Sequence, residues 1–155
     1  MNIETGVTLE VKNLISTRVN GTQAEIGVRM QEMAEYVKAH GASKNGFPIT
    51  ATYAVDPATQ AMDMEVYIPI DAEVPSSDKF IFKPRLYLAN CLRYSYKGNP
   101  MLLEQSIINL NQYIADNKLT PMTVGFNVAK HQATSQEDLD KFEVDIYISV
   151  SPNIL

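Results

Sequence analysis

Two short stretches carry the residues of this chain whose types and spacing best suit chemistry. Residues 65–70 read EVYIPI and residues 145–150 read DIYISV, so each has an acid, an apolar residue, a tyrosine and an isoleucine in that order. A tyrosine ring can stack on an aromatic molecule or hold a cation over its face, for roughly 0.5 to 2 kcal/mol per ring. A carboxylate two residues away supplies counter-charge or, in an apolar cleft, acid-base chemistry.

Side chains of a strand alternate between its two faces, which separates the aliphatic from the chemical residues of each stretch. The aliphatic face, with Val66, Ile68 and Ile70, is expected to take a helix. The other face presents the candidate binding residues Glu65, Tyr67, Asp145 and Tyr147. Two interpretations of the tyrosines remain open: they line a pocket, or they cover the junction between two halves with each hydroxyl satisfied.

Other reactive side chains give weaker signals. His40 and His131 have no second ligand at metal-binding spacing, and Cys91 lies in an apolar stretch typical of a buried strand. The chain has no glycine-rich phosphate loop and no Gly-x-Ser-x-Gly. Glu143 lies two residues before Asp145, but solvated acids near a strand end are the commoner case. We therefore predict no metal, no cofactor and no assigned catalytic residue.

The elements that must position these residues occur in the same order in both halves of the chain. In the first half, the pattern predicts a strand at 7–18, a helix that begins with a Thr22/Glu25 capping box and ends near His40, and strands at 47–55 and 62–70. In the second half it predicts a strand at 85–96, a helix begun by Asn99 and Pro100, and strands at 121–129 and 141–150.

The two halves can be matched residue by residue. Gly21 matches Gly98 at one offset, whereas Tyr53 matches Phe126 at another, with the change placed in a loop. One helix on a three-stranded sheet leaves the other face of the sheet open, so we expect the halves to pair. The predicted fold class is α+β: two tandem strand-helix-strand-strand repeats, residues 1–76 and 77–155 of one domain, with pseudo-two-fold symmetry, an antiparallel sheet, helices on one face and a groove between the halves.

Composition and charge restrict the partners. The chain has 155 residues, 45% of them hydrophobic, and 13 basic against 18 acidic residues give a net charge of −5. Nucleic-acid phosphates are disfavoured as partners because they require clustered lysine and arginine. No signal-peptide pattern and no apolar run of about 18 residues occurs, so we expect no membrane partner and a cytoplasmic location.

The repeated order of elements, the Tyr53-x-x-Asp56-Pro57 segment and the acid-apolar-Tyr-Ile close of both halves resemble the gyrase-inhibitor-like (GyrI-like) family of bacterial effector-binding domains. The resemblance covers almost the whole chain. It implies an aromatic-lined groove between the halves that binds aromatic or cationic small molecules, with Tyr53 and Phe126 facing it. From the pattern alone, the Tyr53 side of its strand could equally be core.

One departure from the family bears on activity. Many members carry a glutamate two positions before the aromatic residue of the second half's middle strand, as counter-charge or catalytic acid. Here that position is Val124, with Thr123 and Gly125 beside it, and none is acidic. The resemblance also implies that DNA-binding members of the family carry an added DNA-binding segment. In this sequence we expect no room for a helix-turn-helix unit before residue 7 or after residue 150.

Three functions follow in order of preference. The first is non-covalent binding of an aromatic or hydrophobic, and in some cases cationic, small molecule. The second is a protein-interaction module, such as a gyrase modulator or accessory subunit, with the tail SPNIL as a docking strand. The third is a small hydrolase, which requires an acid in the groove within hydrogen-bonding reach of a water or a tyrosine.

Overall fold

The computed structural model describes residues 2–131 and 140–152, in which strands and helices alternate much as the sequence predicts. The tail residues Asn153, Ile154 and Leu155 lie outside the described residues, so the predicted docking strand stays a prediction. The elements are β1 Asn2–Gly21, α1 Gln23–Ala39, β2 Ile49–Val55, β3 Met62–Pro69, β4 Ile81–Lys97, a 3-10 turn Pro100–Leu102, α2 Leu103–Asp116, β5 Thr120–Pro121, β6 Phe126–His131 and β7 Glu143–Ser151. The fold is α+β, as predicted, with antiparallel pairing. The single strand predicted at 121–129 is wrong: β5 and β6 are separate strands, because residues 122–125 leave the ladder with β7.

The chain forms two compact units. The first unit is Glu10–Tyr87, and the second unit consists of the described residues of 1–9 and 88–155. The division falls within β1 and within β4, whereas the sequence predicts a change of repeat near residue 77. The single domain and its pseudo-two-fold symmetry stay predictions.

In the first unit, α1 packs on one face of a three-stranded sheet. Strand β3 lies between β1 and β2, and Tyr67 is opposite Ser16 on one side and Ile49 on the other. The predicted alternation is confirmed, because the aliphatic side chains of β3 join those of the helix in one core. That core contains Ile15, Met33, Val37, Ala42, Val66, Ile68, Ile70, Val74 and Phe80.

In the second unit, α2 packs on a sheet in which β7 pairs with three strands. Tyr147 is opposite Arg93 of β4 and Phe126 of β6, and the short β5 pairs near the end of β7. Leu110 and Ile114 of α2 are buried against the sheet. The core contains Leu92, Tyr94, Leu110, Ile114, Val144, Ile146, Ile148 and Val150. Each unit thus has its own apolar core.

The observed strand register differs from the residue match that the sequence predicts between β2 and β6. The register of β2 against β3 shifts at Tyr53, and that of β6 against β7 shifts at Lys130. Phe126 is opposite Tyr147, the place that Ile49 takes opposite Tyr67. The match of Tyr53 with Phe126 is therefore wrong, because it assumed an offset change in the loop that the hydrogen-bonded register does not have.

The helix starts follow local chemistry. The Thr22 hydroxyl accepts from the amide of Glu25 at 3.4 Å, and the Glu25 carboxylate accepts from the amide of Thr22 at 3.3 Å, so the predicted capping box is confirmed. The Asn99 side chain caps the 3-10 turn through the Met101 amide at 2.9 Å, and α2 begins three residues later than the predicted start. None of the helices in residues 2–131 and 140–152 is long and apolar enough to span a membrane.

Candidate functional site

The first tyrosine–acid patch lies on the face of the first unit's sheet opposite α1. Glu65 and Tyr67 of β3 share this face because strand residues two apart point the same way. The backbone register adds residues from two more strands, Arg18 opposite Glu65 in β1 and Ala51 opposite Glu65 in β2. The patch is defined by Arg18, Tyr53, Asp63, Glu65, Tyr67 and Lys83.

Two cations of the chain lie over the two tyrosine rings of this patch. The Lys83 ammonium is 5.2 Å from the centre of the Tyr67 ring, and the Arg18 guanidinium carbon is 4.1 Å from the centre of the Tyr53 ring. Both distances fall within the range of a cation–π contact. The rings therefore already hold positive charge over their faces.

Carboxylates fix these cations in place. Lys83 Nζ is 2.8 Å from Glu65 Oε1, and Arg18 Nη1 is 3.9 Å from Glu65 Oε2. Arg18 also donates two hydrogen bonds to Asp63, at 2.7 and 2.9 Å, in the forked geometry that suits guanidinium and carboxylate. The patch balances two cations with two acids.

Burial and hydrogen bonding set the protonation states of the patch. Burial, together with a hydrogen bond to Glu65, raises the pKa of the Tyr67 hydroxyl. Burial alone would raise the pKa of Glu65, but hydrogen bonds from Lys83 and Tyr67 and the nearby positive charges outweigh it and lower that pKa. Near neutral pH, Tyr67 is therefore a hydrogen-bond donor and Glu65 is an anion.

Replacing Glu65 by glutamine is expected to flatten the acid branch of the stability curve. A carboxyl whose folded pKa is lowered stabilises the folded state above its unfolded pKa, about 4.3, and loses that contribution as the pH falls through the folded pKa. The urea midpoint of the unaltered protein should therefore fall more steeply below about pH 4.3 than that of Glu65→Gln. Parallel midpoint curves for the two proteins would contradict this assignment.

The second tyrosine–acid patch lies on the face of the second unit's sheet opposite α2. It is defined by Arg93, Phe126, Lys130, Asp145 and Tyr147. Asp145 and Tyr147 share a face of β7, and Phe126 is opposite Tyr147. Phe126, Asp145 and Tyr147 are buried. Three of the predicted site residues thus lie together on this face.

Asp145 is the acid of this patch, and it is deeply buried. Its residue surface is 3% exposed, and Lys130 Nζ lies 3.0 Å from its Oδ2. Its Oδ1 has no hydrogen-bond partner among the residues that the structure describes. The hydrogen bond to Asp145 raises the pKa of Lys130, so the lysine is charged.

Arg93 supplies the second cation. It forms an ion pair with Glu4, and this contact, followed by a hydrogen bond with Tyr147, raises the pKa of the guanidinium. Tyr147 therefore has a polar partner on the neighbouring strand. Both tyrosine hydroxyls thus have polar partners, Glu65 for Tyr67 and Arg93 for Tyr147, and both interpretations of the tyrosines stay predictions.

Val124 is the predicted site residue that the strands do not place. It precedes β6 and lies in the segment where Thr123 Oγ1 accepts from the Ser149 amide at 3.2 Å. The pairing of β6 with β7 begins at Phe126, so the strand register does not place Val124 beside Asp145 or Tyr147. Its assignment to a binding site stays a prediction.

The sequence reading missed the basic residues of both patches. Arg18, Lys83 and Lys130 come from β1, β4 and β6, respectively, and each pairs with an acid of another strand. The one sequence feature that could have indicated them was a basic residue within a predicted strand. Basic residues are equally common at solvated strand positions, so this feature did not single them out. Register was needed to assign these partners.

Comparison with known proteins identifies the fold. No protein-family model and no curated protein matches the chain. Among solved structures, the C-terminal domain of EcmrR is similar with a TM-score of 0.72 at 17% identity, over 97% of this chain and 99% of that domain. In the EcmrR-DNA complex the TM-score is 0.73 at 16% identity, over 96% of this chain and 57% of EcmrR, so the chain spans little more than half of that protein.

Two further structures extend the comparison. A hydrolase from Listeria innocua has a TM-score of 0.63 at 8% identity, over 97% of this chain and 92% of that chain. SAV2435 bound to tetraphenylphosphonium has a TM-score of 0.50 at 11% identity, over 97% and 93%. At these identities the likeness shows the fold alone. The chain shares its fold with the C-terminal domain of EcmrR, and its membership of the GyrI-like family stays a prediction.

Proposed function

We propose that this protein binds an aromatic or hydrophobic organic molecule without covalent chemistry, and that cationic molecules are among its ligands. The observation that carries the proposal is the pair of cation–π contacts beside Glu65 in the first tyrosine–acid patch. These rings accept cations over their faces, next to an ionised acid. The binding residues of the proposal are Tyr53, Tyr67, Val124, Phe126, Tyr147, Glu65 and Asp145.

The patches have the composition of small-molecule sites. Such sites combine aromatic walls with a few polar groups that orient the ligand. Each ring contributes roughly 0.5 to 2 kcal/mol of contact energy, and a buried carboxylate favours a cation over a neutral isostere. The predicted groove between two repeats stays part of the proposal.

The structural neighbours support the same class of function. SAV2435 was solved with tetraphenylphosphonium, a cation surrounded by four aromatic rings. EcmrR was solved on DNA, and the part of it that matches this chain is its C-terminal domain. We extend small-molecule binding to this chain and do not extend DNA binding, for which the net charge of −5 is unsuited.

Calorimetric titration of two tyrosine variants tests the proposal. Tyr53→Ala is expected to weaken tetraphenylphosphonium binding about fivefold, because it removes one exposed cation–π wall. Tyr87→Ala is the matched control: Tyr87 is 49% exposed against 40% for Tyr53, and Arg85 lies 4.3 Å over its ring, but it is outside both patches. Equal loss in both variants, or no binding of any aromatic cation or neutral aromatic compound by the unaltered protein, would refute the proposal.

An acid–base enzyme is less well supported. Glu65 is in hydrogen-bonding reach of Tyr67, which meets the geometric condition for a hydrolase. Its lowered pKa, however, makes Glu65 a weak base and leaves little of its acid form near neutral pH. We therefore do not assign a catalytic role to the first patch.

Protein interaction is the second candidate function. The 3-10 turn and α2 expose the large apolar side chains Met101, Leu102 and Ile108, and exposed apolar patches mark interaction sites. A partner that binds this surface would still be captured by Tyr53→Ala protein, whose small-molecule affinity is reduced. This outcome separates an interaction module from a ligand-binding module.

A further inference from the structure

The ion pair between Asp145 and Lys130 is unequal in burial. Asp145 is almost completely enclosed, whereas the side chain of Lys130 is 38% exposed. Removing a buried carboxylate from all partners is costly, but a lysine ammonium that already reaches solvent can be hydrated again at little cost. If the ion pair opens, we therefore expect the Lys130 ammonium to move into solvent while the Asp145 carboxylate stays buried.

Asp145 also has unused hydrogen-bonding capacity. An ionised carboxylate accepts through both oxygens, but in this pair Lys130 contacts Oδ2 and leaves Oδ1 without a partner among the described residues. Buried polar atoms are normally satisfied, so a vacant acceptor at this depth requires an explanation. A ligand that donates two parallel N–H groups would satisfy both oxygens at once.

We propose that Lys130 is a displaceable counter-ion of the second tyrosine–acid patch, and that an aryl amidinium or guanidinium ligand replaces it on Asp145. The inference rests on the proposed function and specifies its ligand chemistry. The planar fork of an amidinium matches the two oxygens of Asp145, and the aryl group lies beside Tyr147 and Phe126, which are opposite each other on β7 and β6.

The register of β6 favours this role for Lys130. The pairing of β6 with β7 shifts by one residue between Ala129 and His131, so Lys130 is the additional residue of its strand. At such an irregularity the additional residue is left out of the ladder, and its side chain can be re-aimed. Lys130 can therefore leave Asp145 without breaking the register of the neighbouring residues.

The first patch does not offer the same opening. Glu65 has Lys83 on one oxygen and Arg18 near the other, and Arg18 is also held by Asp63. Two cations would have to leave before a forked donor could bind. Among the acids of the two patches, Asp145 is the one with a vacant buried oxygen in the described residues.

Affinity measurements with a matched pair of probes test the proposal. The probes are 4-phenylbenzamidine, a cationic forked donor, and 4-phenylbenzamide, its neutral isostere. Lys130→Met should bind the amidine about tenfold more tightly than the unaltered protein, because the competing ammonium is gone, and Lys130→Arg should not. The affinity for the amide should change less than about twofold, and Asp145→Asn should lose the preference for the amidine over the amide.

A second measurement uses the unaltered protein, because Lys130→Met leaves Asp145 unpaired and is expected to be less stable. With nitrogen-15 in lysine, the Lys130 ammonium should give a protected signal near pH 6 through its contact with Asp145. Saturation with 4-phenylbenzamidine should abolish this signal, and 4-phenylbenzamide should leave it unchanged.

The outcomes separate this inference from the proposed function. Binding of the amidine with an unchanged Lys130 signal, or an equal gain for both probes in Lys130→Met, overturns the counter-ion role and leaves small-molecule binding intact. Failure of tetraphenylphosphonium and of both probes to bind any of the proteins overturns the two together.

Discussion

Replacing Leu110 by alanine is expected to lower the free energy of unfolding by about 3 kcal/mol. Leu110 is 2% exposed and belongs to the core of the second unit, where α2 packs on β4 and β7. Its truncation loses the transfer free energy of the removed methyl groups and leaves a cavity that the sheet cannot fill. Urea denaturation followed by far-ultraviolet circular dichroism measures the change.

Ile108→Ala is the matched control for this prediction. Ile108 lies two residues earlier on the same helix, is equally apolar and is 53% exposed. Its replacement should change the free energy of unfolding by no more than about 0.5 kcal/mol, as at other surface positions. Similar losses in the two variants would mean that α2 does not use the Leu110 face to pack on the sheet.

Replacing Lys130 by methionine is expected to destabilise the protein by about 2 kcal/mol, because Asp145 loses its cation and stays buried. The loss is smaller than for a fully enclosed pair, since the Lys130 side chain is partly solvated and its attraction is screened. The same denaturation experiment at neutral pH gives the value. A long-stemmed apolar residue was chosen because it retains the packing of the lysine stem.

Two comparisons identify the cause of that loss. The double variant Lys130→Met with Asp145→Asn should recover most of the stability, because the buried charge is also removed. Arg85→Met breaks a surface ion pair with Glu10 that has a similar separation, 2.8 Å, but both partners are exposed, so it should cost less than about 1 kcal/mol. A double variant no more stable than Lys130→Met would show that packing, not charge, was lost.

The secondary structure could be predicted because its signals are local. The Thr22/Glu25 capping box involves residues three apart, and the buried residues Met33 and Val37 lie one helical turn apart. The alternation in 65–70 separates Val66 and Ile68, which join the α1 core, from Glu65 and Tyr67 on the opposite face. These contacts need no knowledge of the rest of the fold.

The match between the middle strands failed for a physical reason. Tyr53 and Phe126 are aromatic residues in similar strand patterns, but each strand contains a register shift that sequence does not mark. A one-residue shift moves a side chain relative to its cross-strand partners. Hydrogen bonding to β7 places Phe126 opposite Tyr147, whereas Tyr53 takes the irregular position that Lys130 has in the second unit.

By itself, the sequence determined the α+β class, the order of the helices and longer strands without the short β5, and the side of β3 and β7 on which the acids and tyrosines lie. These features depend on steric periods of two and 3.6 residues that act within a few positions. Only the tertiary structure decided which cations meet those acids, as when Arg18 reaches Asp63 across 45 positions. Such partners depend on strand pairing and register, and on a balance of burial against charge that exists only once the chain has folded.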